Sequence, residues 1–408
     1  MTTIAPWKAA LFLALATLAG PGARAGGDPH AAEPIGTVRE MYDGALTPDL
    51  AVSTFRNIDR LFATRTIAHG NVVQPLPPAA KALARVQFRS RGRAWDLDDY
   101  LAVNRVAGLL VLKDGRVALE LYQYGNTPRT RWMSMSLAKS VTSTLIAAAV
   151  QQGKIGSIDD AVTKYLPALA GSAYEGVTIK DLLLMSSGVR WNETYTDPAS
   201  DRRRLLEAQI AQRPGAAMAL MAALPRAAPP GTVNNYNTGE TLVAGEVVRA
   251  ATGMPLAEYL SDRIWKRYGM EADANWWLDA PGGIEIAGSG ISATLRDYGR
   301  FALFFMDGGV AAGERILPAG WTTEAGTPKT LKDGRKLDYG YFWWPAVATA
   351  ETPDTEGAFL AEGIFGQFLY LNPREHVVIV ALSARSKPEG MDVIEDLDFF
   401  AAAAAALR

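Results

Sequence analysis

Two strand–turn–strand stretches stand toward the two ends of the chain, and what lies between them is patterned for helices. Val106 to Gly125, "VAGLLVLKDGRVALELYQYG", reads as two strands around Asp114-Gly115, a strong short-range hairpin signal. Gln367 to Ser383, "QFLYLNPREHVVIVALS", reads the same way with Asn372-Pro373 in its turn, and "MDVIEDLDFFAAAAAALR" after it reads as a helix. Between the hairpins, helices are expected from Ser136 to about Gln152, across "TIKDLLLMSS", and over Arg202–Leu224, Gly239–Thr252 and Thr294–Met306. Strands at both ends of a helical middle do not make a βαβ series, which argues against a doubly wound parallel sheet. The expectation is an α+β fold. An antiparallel sheet flanked by helices would be built from 46–135 and 290–408, with a mostly helical domain, 136–289, inserted. A site made by the insertion would lie at the junction of the two parts.

The first residues belong to a different argument. Lys8 precedes an apolar run from Ala9 to about Leu18, followed by "GPGARAGG" with an Ala-x-Ala pattern at Ala23–Ala25. This reads as a signal peptide, residues 1–25, cleaved near Ala25, because the run is too short for the roughly 20 apolar residues of a spanning helix. A flexible mature N-terminus, 26–45, would follow. The protein is thus expected to be exported, to the periplasm in preference to the medium, with no membrane span.

Composition narrows the chemistry. A net charge of −2 gives no basic excess to suggest nucleic acid as a partner. The chain has no cysteine, so disulfides, thiolate catalysis and Cys-based zinc sites are excluded. Only His30, His69 and His376 exist. His376 enters an apolar strand from a turn and His69 sits in a Gly-containing loop, neither a strong setting for the base of a Ser-His-Asp triad.

One short motif offers another base. In "SMSLAKSVTS", residues 134 to 143, Ser136 stands three places before Lys139, and no other serine in the chain has a lysine at that spacing. Residues three apart on a helix share a face. At a helix start, backbone N–H groups favour developing negative charge, and a desolvated lysine there loses its proton more readily. The competing reading is a helix-start serine beside a snorkelling surface lysine. "PPGTVNNYNTGET" adds Tyr236 in an Asn-rich loop before another helix, either plain packing or the phenolic base that histidine leaves vacant. A lysine ammonium nearby would lower its pKa. "AEGIFGQFLYL" brackets a strand start with Gly363 and Gly366, a bulge or a close backbone approach to ligand. There the N–H groups of Ile364 and Ser136 could form an oxyanion hole.

These elements, with "GKIGSIDDAVTKYLP", "VTIKDLLLMSSGVRWNE" and "GSGISATLRDYGRF", resemble the serine β-lactamase and penicillin-recognising superfamily. The resemblance covers about Val106 to Ser383 and is to the class C-like branch, with its esterases, D-aminopeptidases and 6-aminohexanoate-dimer hydrolases. It implies Ser136 as acylated nucleophile, Lys139 as general base, Tyr236 as proton shuttle and Ile364 as the second oxyanion N–H. Asn237, Thr238 and Gly363 would face the substrate; Trp191 and Glu193 of "SSGVRWNE" either approach the acyl pocket or belong to a loop packed on the helical domain, and no cofactor or metal is called for. Two departures stand out. Thr238 replaces the asparagine of the family's Tyr-x-Asn element, and Ala361, Glu362 and Gly363 stand where the family has Lys-Thr-Gly. That lysine normally helps hold a substrate carboxylate, which Glu362 would repel if it faced the cleft. The expected activity is therefore hydrolysis of a small-molecule ester or linear amide. β-Lactamase, D-aminopeptidase or DD-peptidase activity and non-catalytic peptidoglycan recognition are the alternatives.

Overall fold

The computed structural model describes residues 29–348, 352 and 355–408, so the expected signal peptide lies outside the described residues. The main sheet has six antiparallel strands, in the order Trp344–Pro345, Phe359–Gly363, Gln367–Asn372, Val377–Ser383, Val106–Lys113 and Arg116–Tyr122. Both expected hairpins are therefore present, joined edge to edge by the pairing of Val377–Ser383 with Val106–Lys113.

Strand alternation explains why Val106–Lys113 is apolar at nearly every position. Leu110 and Leu112 face one core with Leu295, Phe301 and Phe305 of the helix Leu295–Met306. Leu109 and Val111 face a second core with Phe399, Phe400 and Ala403 of the helix Asp396–Ala406. A strand covered on both faces has no solvent side to spend polar residues on. The antiparallel sheet flanked by helices, of the β-lactamase kind, is the fold observed.

A second sheet was not expected. It orders Thr64–Ile67, Ala274–Trp277, Ile291–Thr294 and Arg131–Met133, all antiparallel. Its strand Ala274–Trp277 lies within the stretch 136–289 read as mostly helical. Helix Leu137–Gln151 follows the edge strand Arg131–Met133 after three residues and packs against helix Thr238–Thr252. Thus the Ser136 turn is held between the small sheet, the large sheet and the helical region.

Two expectations need correcting. The single helix Arg202–Leu224 is two helices, Asp201–Ile210 and Ala216–Ala223, because Gln212 and Gly215 both take positive φ around Pro214. The described part of 26–45 is not a loose tail. Helix Val38–Asp43 has a Thr37–Glu40 capping box, buries Val38, Met41 and Tyr42, and is tied to the body by Arg203 on Asp43 at 2.6 Å. No helix among the described residues is long and apolar enough to cross a membrane.

Candidate active site

The site is built from the turn at Ser136. From Trp132 through Ala149 every residue is buried except Ser136, which is half-buried and opens into a cavity of about 620 Å³. Ser136 is the N-cap of helix Leu137–Gln151, yet its hydroxyl makes no capping bond. Met135 before it holds φ 44, a left-handed conformation that a non-glycine side chain disfavours. Such strain persists only where the surroundings over-determine it, and functional turns are where it collects. Ser134 fixes this turn by accepting from the Ile291 N–H at 3.0 Å and donating its own N–H to Ile291 at 2.7 Å.

Lys139 lies one helical turn further on, 2 % exposed. Its Nζ donates to Ser136 Oγ at 2.8 Å and to the Gly288 carbonyl at 3.0 Å. Burial drives its pKa down to about 7; the Glu193 carboxylate works against that shift and Arg202 with it. The surface-lysine reading is therefore excluded by position. Tyr236 also lines the cavity, its ring 5.0 Å from Lys139 Nζ. Trp344 stacks on it at 5.8 Å and Tyr339 meets it edge-on at 6.5 Å. The expected lowering of the Tyr236 pKa is not found. Burial first, and the Glu193 charge second, push the phenol above its ordinary value, only partly offset by the Ser136 hydroxyl. Lys139, its own charge weakened by burial, does not offset these effects.

The opposite wall is the end of strand Phe359–Gly363. A Cβ on Gly363 would sit 2.7 Å from the Ser134 carbonyl oxygen, 3.0 Å from the Ser136 nitrogen and 3.1 Å from Met135 Cβ. Only glycine allows the strand this close to the Ser136 turn. The next residue, Ile364, lines the cavity, and Phe365 after it takes φ 67. Among the described residues neither the Ser136 N–H nor the Ile364 N–H donates a hydrogen bond. Two unpaired backbone donors thus belong to residues lining the same cavity as the Ser136 hydroxyl.

The residues expected to face substrate are divided. Gly363 and Glu193 line the cavity. Asn237 is fully buried and caps helix Thr238–Thr252, accepting from the Glu240 N–H at 3.1 Å. Thr238 is buried and its hydroxyl donates to Glu193 Oε1 at 2.5 Å, while its N–H donates to Oε2 at 3.0 Å. Trp191 is buried and donates its indole N–H, at 2.5 Å, to the same carboxylate. Asn237, Thr238 and Trp191 therefore hold the Tyr236 loop and do not line the cavity, and Glu193 is the hub that joins them. Sequence reading missed Tyr195, Trp344, Phe368 and Arg385 on the cavity wall. Glu362, noted only as a departure, lines it too.

Histidine is elsewhere. His69 bonds Asp273 at 2.5 Å and His376 bonds Asp307 at 2.9 Å, both partly exposed and neither on the cavity wall. No metal-binding cluster of His, Cys, Asp or Glu occurs among the described residues.

Comparison with known proteins identifies the family. The model of the Beta-lactamase family matches residues 98–403. A 6-aminohexanoate-dimer hydrolase of Paenarthrobacter ureafaciens is 29 % identical over 352 residues, which is 82 % of this chain and 86 % of that protein. The solved structure of a proposed 6-aminohexanoate-dimer hydrolase from Bacillus anthracis superposes with a TM-score of 0.73 at 26 % identity, covering 84 % of this chain and 90 % of that one. A D-aminopeptidase of Brucella anthropi is 29 % identical over 173 residues, 40 % of this chain and 31 % of that protein. With its match across well over half its length, the chain belongs to the Beta-lactamase family, as a serine hydrolase similar to 6-aminohexanoate-dimer hydrolases.

Proposed function

We propose that the protein hydrolyses small-molecule esters or linear amides through an acyl-enzyme on Ser136. The observation that carries this is the buried Lys139 amine 2.8 Å from the Ser136 hydroxyl, in a cavity whose wall includes two residues, Ser136 and Ile364, with unpaired backbone N–H groups. In the neutral state favoured above pH 7, Lys139 accepts the Ser136 proton as Oγ attacks the carbonyl carbon. The N–H groups of Ser136 and Ile364 receive the oxyanion. Tyr236, a neutral phenol, passes a proton from the Lys139 ammonium to the departing oxygen or nitrogen as the carbonyl–leaving-group bond breaks. Water then attacks the acyl carbon as Lys139 takes its proton, and Lys139 returns that proton to Ser136 Oγ as the acyl carbon–Oγ bond breaks. No step draws on a metal or an organic cofactor.

β-Lactam hydrolysis is the weaker reading. Ala361, fully buried, supplies no cation for a carboxylate, and Glu362 adds a negative group to the wall. The Ala23–Ala25 pattern after the apolar run supports export to the periplasm.

A fluorophosphonate probe tests the nucleophile. The wild-type protein should label and Ser136→Ala should not; equal labelling of both would refute the assignment, and a non-catalytic binder would not label at all. A parallel assay with a p-nitrophenyl ester, a linear aminohexanoate amide and a chromogenic cephalosporin tests the substrate class. Fast cephalosporin turnover would overturn it.

A further inference from the structure

Glu362 is the one carboxylate of the inner cavity wall left without a partner among the described residues. It stands next to Gly363, whose backbone touches the Ser136 turn, and opposite Phe368 in the strand register. The other inner charges are matched. Arg385 donates to both oxygens of Asp396 at 2.6 and 2.8 Å, and Asp396 further accepts from Tyr100 at 2.8 Å and Asn104 at 3.0 Å. Arg91 pairs with Glu395 and with Asp392 at 3.1 Å. Glu193 is taken up by Thr238 and Trp191. Lys387 and Glu389 are exposed and of opposite sign. What remains is a surplus negative group in a cavity also lined by Tyr195, Tyr236 and Trp344. A carboxylate among aromatic rings is the chemistry that attracts an ammonium.

The side of the scissile bond follows from the neighbours of Glu362. Trp344, which stacks on Tyr236 at 5.8 Å, pairs with Leu360 two residues before Glu362, and Glu362 and Tyr236 line one cavity whose wall does not include Lys139. Tyr236 is the proposed proton donor to the leaving group. We propose that Glu362 makes the enzyme selective for substrates whose leaving group carries a positive charge, an ammonium a few bonds from the ester oxygen or amide nitrogen. This rests on the acyl-transfer reading of Ser136 and Tyr236. It also sets the chain apart from a hydrolase of 6-aminohexanoate dimer, whose leaving half bears a carboxylate.

Titration supports the placement. Burial, reinforced by Asp396 and opposed by Arg385, raises the Glu362 carboxyl to about 7. It is therefore neutral below that pH and charged above it, so cation selectivity should grow as pH rises through about 7. Turnover runs through the neutral form of Lys139 for both substrates, so its protonation below about 7 lowers both rates alike and cancels from their ratio.

The test compares butyrylcholine with 3,3-dimethylbutyl butyrate, substrates of one shape that differ in charge on the leaving group. The quantity read is the ratio of their kcat/KM values, in which a general loss of activity cancels. Wild type should favour the cation by about tenfold above pH 8, the size of a desolvated contact of a quaternary ammonium with a carboxylate and aromatic rings. The ratio should fall toward one near pH 6, and Glu362→Gln should hold it near one at every pH. A wild-type ratio near one at pH 8, with Ser136 still labelled, overturns the selectivity and leaves the acyl-transfer reading standing. An undiminished ratio in Glu362→Gln overturns it too. Loss of both turnover and Ser136 labelling in wild type would bring down the acyl-transfer reading, and this inference with it.

Discussion

Replacing Gly363 with alanine adds a single methyl group where the large sheet meets the Ser136 turn. Its contacts would be the Ser134 carbonyl oxygen at 2.7 Å, the Ser136 nitrogen at 3.0 Å and Met135 Cβ at 3.1 Å. Two of the three are backbone atoms, which cannot swing aside. Ordinary carbon contacts begin near 3.5 Å, so strand and turn must part by roughly half an ångström or more. That movement is taken by the backbone carrying the Ser136 and Ile364 N–H groups. Oxyanion donors act over a narrow range of distance, and losing one costs about a hundredfold to a thousandfold in kcat. The expected result for Gly363→Ala is thus a kcat on a p-nitrophenyl ester lowered by about a hundredfold with KM changed far less. Overpacking should also lower stability by about 1–3 kcal/mol. Stopped-flow acylation measures the first effect and thermal unfolding by circular dichroism the second. A variant that acylates at the wild-type rate would refute the claim that this strand end positions the oxyanion donors, whatever its stability.

Other outcomes follow from the same geometry. Tyr236→Phe removes a proton donor that a poor leaving group needs and a good one does not. Amide hydrolysis should fall by about a hundredfold or more and p-nitrophenyl ester hydrolysis by far less; equal losses on both would contradict the shuttle role. Glu240 is buried, accepts from Ser187 and Asn237, and has its carboxyl raised by burial to about 8. Between its ordinary range and pH 8 the folded state binds the extra proton, so its contribution to stability falls as pH rises through that window. Glu240→Gln should therefore gain in Tm relative to wild type as pH goes from 5 to 9; a constant difference would mean the carboxyl is not protonated in the fold.

Which features the sequence made legible depended on how local their causes are. Asp114 and Gly115 both take positive φ, and that turn chemistry is written in two adjacent residues. The Ser136–Lys139 pair needs only one helical turn to meet. The helix break at Pro214-Gly215 was also local, written in a proline and a glycine side by side. By contrast, the pairing of Thr64–Ile67 with Ala274–Trp277 joins distant segments of four residues each, too short for periodicity to mark. Asn237 was read as substrate-facing, although Glu240 three places on is the pattern of a helix cap, and capping is what it does. The shift of Tyr236 was read with the wrong sign because one neighbouring charge was weighed and burial was not.

The account turns on a neutral, buried Lys139 activating Ser136. The direct test is the second-order rate of fluorophosphonate labelling at Ser136 as a function of pH. The rate should rise about tenfold per pH unit below an apparent pKa near 7 and be level above it, because the protonated amine cannot accept the hydroxyl proton. Lys139→Arg, whose guanidinium stays charged, should lose the plateau. A labelling rate still climbing toward pH 10, or an unchanged profile in Lys139→Arg, would contradict it.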